Sequence, residues 1–166
     1  MLRGLLHLAC REYDAAIECC ERGLETKAVV AAGRHIYARC LIAAGRFEEA
    51  YRQGVLSIEL QPTIFPFYLM TLGVACLLRG HADEAVLVLR KAREMMPRLS
   101  FVAGMLAGAL EADDCHEDAQ RVVGEVRQLD PSLTVADVLR PYPTRDAVHQ
   151  TTLAGFLKGA GLRDDA

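Results

Sequence analysis

Large apolar residues recur along this chain every three or four positions, the period of a helix with one buried face. The pattern is densest between Pro66 and Leu99. Leu69, Leu72, Gly73 and Cys76 fall at i, i+3, i+4 and i+7 and predict a first short helix. Gly80 supplies the positive φ on which a helix ends. Ala85, Leu89 and Ala92 make a second stripe, stopped by Pro97. Gly73 and Ala85 are small where the two helices must approach closely. The segment predicts a helical hairpin with one apolar side, which it cannot bury alone.

The hairpin repeats. The alanine opening its second helix recurs at Ala16, Ala50, Ala85 and Ala119, spacings of 34, 35 and 34, and closing prolines fall at Pro62, Pro97 and Pro131. Ala38, Leu41, Gly45 and Ala50 carry the second copy. Leu106, Ala107, Leu110, Asp114, Ala119 and Val123 carry the fourth, with Asp114 in place of the turn glycine. Asp tolerates the left-handed region better than most residues. In the first copy Tyr13, Ala16, Ile17 and Cys20 mark a good second helix over Arg11–Glu25, but its first helix would begin before Met1. That predicts either a short opening helix or a chain cut from something longer, and the apolar Leu2, Leu5, Leu6 and Leu8 favour the fragment.

These residues resemble the tetratricopeptide repeat (TPR), a 34-residue helix–turn–helix unit. Cys76 and Leu89 stand where that family usually has aromatics. The resemblance implies an all-α, right-handed superhelix of about four repeats, at about 1–30, 31–65, 66–99 and 100–131. The remainder, 132–166, predicts a short helix over Ser132–Arg140 and an extended break at Pro141-Tyr142-Pro143. A last helix follows from about Asp146 to Ala160, expected to dock on the open side of repeat four as a cap. The stretch RPYPTRDAVHQTTLAGFLKGAGL also resembles the ends of TPR regions in bacterial class III adenylate cyclases and related signalling proteins. In those proteins an effector domain lies upstream, which implies a larger parent.

Composition narrows the function. Of 166 residues 52% are hydrophobic, enough for a sizeable core, and the net charge of -3 gives none of the basic footprint that nucleic-acid binders show. No signal-peptide layout is present, because Glu12 and Asp14 follow too soon, and the run Ile64–Leu78 is too short to span a membrane. Six cysteines without paired spacing point to a reducing cytoplasm. There is no phosphate loop and no nucleophile elbow, so no catalytic residue, cofactor or enzymatic activity is expected. The five histidines lack metal-ligand spacing. Asp113-Asp114-Cys115-His116-Glu117-Asp118 reads as a solvated turn whose acids favour the next helix's N-terminus, with no metal. Cys20 and Cys76 read as small interior hydrophobes.

The first helices of a TPR array line its concave groove. That places His35, Arg39 and Ala43 from repeat two, Phe67, Met70, Val74 and Leu78 from repeat three, and Gly104 and Gly108 from repeat four on the partner-binding wall. Leu5 and Ala9 serve repeat one. An apolar groove with one basic edge suits a protein or amphipathic peptide rather than an acidic tail. Alternatively it is covered in a dimer or by the parent's own upstream region. The protein is expected to be an interaction or scaffolding module, either part of a signalling protein or a stand-alone adaptor or chaperone-type protein. Leu2, Leu5, Leu6 and Leu8 suggest a homodimer through the N-terminal helix.

Overall fold

A computed structural model describes residues 2–25, 30–60 and 65–164. Pro62 and the side chain of Leu2 lie outside them. Among the described residues the chain forms ten helices and no strand, with one isolated bridge between Thr134 and Arg163. Four antiparallel pairs come first: α1 (Leu2–Ala9) with α2 (Tyr13–Glu25), α3 (Val30–Ala44) with α4 (Phe47–Glu59), α5 (Pro66–Leu78) with α6 (Ala82–Met95), and α7 (Ser100–Ala112) with α8 (His116–Leu129). Two tail helices follow, α9 (Val135–Leu139) and α10 (Ala147–Gly159).

The repeat landmarks explain the pairs. Ala16, Ala50, Ala85 and Ala119 are all fully buried, at the point where each second helix meets its first. The turns sit in the left-handed region at Gly45 (φ 83°), Gly80 (φ 80°) and Asp114 (φ 57°). Arg11 holds the same place in the first pair, at φ 61°, a conformation that costs a side-chained residue more than glycine. Pro66 starts α5 at its first turn, where the missing N–H leaves no bond unmade. Between α5 and α6 the approach is so close that a Cβ on Gly73 would lie 2.6 Å from Leu89 Cγ.

The pairs stack into a solenoid. Helices α1, α3, α5 and α7 touch in sequence and form the inner wall, while each of α2, α4 and α6 also wedges against the first helix of the next pair. Ion pairs brace the outer row: Arg79 to Glu48 (2.7 Å), Arg90 to Asp118 (3.1 Å) and Arg93 to Glu125 (3.1 Å).

After Pro131 the chain turns inward. Thr134 and Asp137 cap α9 reciprocally, and the Asp146 side chain accepts from Val148 N at 2.9 Å to start α10. Helix α10 packs on α7, α5 and α9, and α8 meets the tail just beyond it, where Arg127 donates to the Gly161 carbonyl at 3.1 Å. It covers repeat four from the concave side instead of lengthening the stack. The reason is the glycine face of α7. A Cβ on Gly108 would lie 2.8 Å from Leu157 Cδ2, and one on Gly104 would lie 3.0 Å from Val138 Cγ2. Bulkier residues would hold the tail off.

Candidate functional site: an aromatic pocket on the inner wall

The tail divides the predicted groove in two. Ala43, Met70 and Val74 are core residues, 1%, 0% and 0% exposed. Gly104 and Gly108 are buried against the tail, and Leu78 is partly buried against the core. The Ala43 carbonyl accepts from the Arg145 backbone N–H at 2.7 Å. What stays open is a pocket of about 520 Å³ that His35, Arg39 and Phe67 line with Phe65, Tyr68, Thr71, Phe101 and the tail's Pro141 and Tyr142.

Each wall has a local cause. His35 and Arg39 are one helical turn apart on α3, so both face the same side. The His35 ring stacks on Tyr68 with centroids 4.6 Å apart, and Phe65 leans on the same Tyr68 at 5.7 Å. Phe67 and Phe101 pair at 6.5 Å across α5 and α7. They occupy the same repeat position, so the 34-residue register that found Phe67 also points to Phe101. Tyr142 was hidden in the sequence, because only the tail's inward turn brings it beside Thr71, with the two hydroxyls 3.4 Å apart. Burial pushes the Tyr142 phenol up, so it stays a neutral hydrogen-bonding group.

The polar atoms are few and incompletely paired. Arg39 donates from one terminal nitrogen to the Pro141 carbonyl at 2.9 Å, but its Nε is buried without a partner, as is His35 Nδ1. Burial first, and the Arg39 charge second, hold the His35 imidazole down at about 4. It is neutral at pH 7. The unfolded chain takes up that proton at an ordinary 6.5, so between pH 6.5 and 4 the unfolded state binds more protons. This contribution to stability is complete above pH 6.5 and is lost as the pH falls toward 4, by about 3 kcal/mol in all. His35→Gln is expected to flatten that part of a pH series of urea midpoints; an unchanged slope would remove His35 as its source.

Other predicted residues lie apart. Leu8 is core, Leu5 is partly buried and Leu6 is 66% exposed. Leu5, Leu8 and Ala9 line a second cavity of about 320 Å³ against Arg39, Arg140, Pro141 and Pro143. In the acidic turn His116 pairs with Glu111 at 2.9 Å, which raises its pKa, and Glu117 and Asp118 occupy the first turn of α8. Among the described residues no three His, Cys, Asp or Glu side chains are grouped to hold a metal ion. Cys20 and Cys76 are fully buried, and Cys20 lies with its sulfur 3.8 Å from that of Cys40. No described helix is long and apolar enough to cross a membrane.

No family model matches the chain, and no curated protein matches it. Among solved structures, the P212121 crystal structure of MamA AMB-1 superposes with a TM-score of 0.66 at 18% identity, over 95% of this chain and 86% of that one. That likeness concerns architecture, and with the repeat geometry it makes this chain a TPR-like helical-repeat solenoid.

Proposed function

We propose that the protein is an interaction scaffold that docks a partner's amphipathic segment at the mouth of the aromatic pocket. The observation that carries this reading is the exposure of Phe65 and Phe67, 49% and 46%, both of which line the pocket. Large apolar side chains held open on a rigid frame are a standing contact surface. The partner surface is the open part of the groove, His35, Arg39 and Phe67. Ala43, Met70, Val74, Leu78, Gly104 and Gly108 form its supporting wall. In the finer form of the proposal the solenoid is the C-terminal TPR region of a larger bacterial signalling protein, with a stand-alone adaptor as the alternative. The support for the former is the resemblance of residues 140–162 to such tails.

Selection of a displayed random-peptide library on the wild type, with Phe67→Glu as counter-target, tests the docking surface. Enriched sequences are expected to carry apolar anchors at helical spacing and to lose binding to Phe67→Glu. Enrichment that ignores the substitution, or none at all, would defeat the proposal. Self-association through α1 rests on Leu6, since Leu8 belongs to the core. If a dimer forms there, Leu6→Glu abolishes it in light scattering, and a wild type monomeric at tens of micromolar (roughly where a weak patch acts) removes it.

A further inference from the structure

The floor of the same pocket carries a second signal, in residues that include the Arg39 and Phe67 of the docking surface proposed above. Arg39 is a partly buried cation with no carboxylate within ion-pairing distance among the described residues. Its one hydrogen bond goes to a neutral carbonyl, and its Nε is buried and unpartnered. Nearby Arg140 is already paired with Asp137, and no Asp or Glu lines the pocket. A guanidinium taken out of water without a counter-ion loses hydration that only an anion restores well. Around it stand flat rings: His35 stacked on Tyr68, Phe67 beside Phe101, and Tyr142. The space, about 520 Å³, is the size and character of a small-molecule site, apolar with a few convergent polar groups.

We infer that this pocket binds a small planar organic acid, its flat body among the Phe67, Tyr68 and Phe101 rings and its carboxylate on Arg39. Arg39 commits one terminal nitrogen to Pro141, which leaves the other for the ligand's carboxylate, and the Thr71 and Tyr142 hydroxyls, 3.4 Å apart, supply further hydrogen-bonding capacity at the floor. A cation of the same shape meets the Arg39 charge and is excluded.

Calorimetric titration with 2-naphthoate, its neutral amide and 2-naphthylmethylammonium tests this on the full chain. The acid is expected to bind at least about tenfold more tightly than the amide, the worth of one charge-assisted hydrogen bond, and the ammonium not at all. Arg39→Gln is expected to bring the acid down to the amide's affinity and leave the amide unchanged, whereas Phe67→Ala weakens both. Should Arg39→Gln not fold, the wild type still decides. Acid binding must weaken with added salt while amide binding does not. Equal binding of acid and amide, no binding of either at millimolar concentration, or acid binding indifferent to Arg39 overturns the inference. Those results turn on charge and Arg39, whereas the peptide selection turns on Phe67→Glu, so either reading can fail without the other.

Discussion

Leu157→Asp is expected to detach the terminal helix from the inner wall. Leu157 is 2% exposed and fills the space left by Gly108. Burying a leucine side chain is worth about 1.5–3 kcal/mol, and a carboxylate left there unpaired adds a desolvation cost at least as large. The total of about 5 kcal/mol is comparable to the about 3–6 kcal/mol that burying both Leu153 and Leu157 of α10 supplies, so α10 leaves rather than the charge staying buried. The expected signature is fast amide exchange through residues 135–160 with slow exchange kept in α5 and α6, and a lowered urea midpoint. Gly155 makes the opposite control. It is exposed, and nothing lies within 4 Å of a Cβ placed there, so Gly155→Ala is expected to strengthen α10 by up to about 1 kcal/mol. A midpoint untouched by Leu157→Asp would mean that the tail does not lie on the wall.

Leu89→Ala is the second large effect, about 4 kcal/mol. Leu89 is fully buried in the middle of the array, and truncating it leaves a cavity that stacked neighbours on both sides prevent from collapsing. Gly73→Ala alone is expected to destabilise too. The alanine's helix propensity gains about 1 kcal/mol, but its Cβ meets three Leu89 carbons at 2.6–3.0 Å. Overpacking of that kind costs about 1–3 kcal/mol. In the double variant the clash is gone, the new methyl partly fills the cavity, and the propensity gain remains. Gly73→Ala is therefore expected to rescue Leu89→Ala, with the sign of its effect reversed between the two backgrounds. Strict additivity in the double-mutant cycle would show that the two residues do not share the contact.

Much of this architecture is readable from residue spacing, because a repeat forces the same physical problem to be solved four times. Ala85 and Ala119 must be small for one reason, and Gly45, Gly80 and Asp114 sit at turns for another. Arg11 is their equivalent, yet nothing about arginine suggests a left-handed turn; only its place 34 residues before Gly45 does. The pocket was half legible. His35, Arg39 and Phe67 follow from the register. Tyr142 does not, because its position depends on the course of a non-repeating tail. Gly104 and Gly108 were legible as a wall of small residues, but small residues show only that something comes near. It took the placement of Val138 and Leu157 to show that the chain itself does.

The tail has a consequence for how the molecule comes apart. A stack of hairpins is a one-dimensional array in which each unit feels only its neighbours, so such arrays fray from their ends. Here the far end is strapped to the near one. The Arg145 guanidinium meets Asp14 at 2.6 Å, 131 positions away in sequence, Tyr13 donates to the Thr144 carbonyl at 3.4 Å, and Arg39 holds Pro141. The strap closes the open array into a loop, and the entropy of that closure is recovered only when the repeats between its feet are already in place. Zipping of neighbours in either direction therefore leaves these contacts still to be made, like a buckle not yet fastened. Once it is fastened, repeat one peels only by also giving up contacts made by the other end, so part of its hold on the array is lent from 131 positions away.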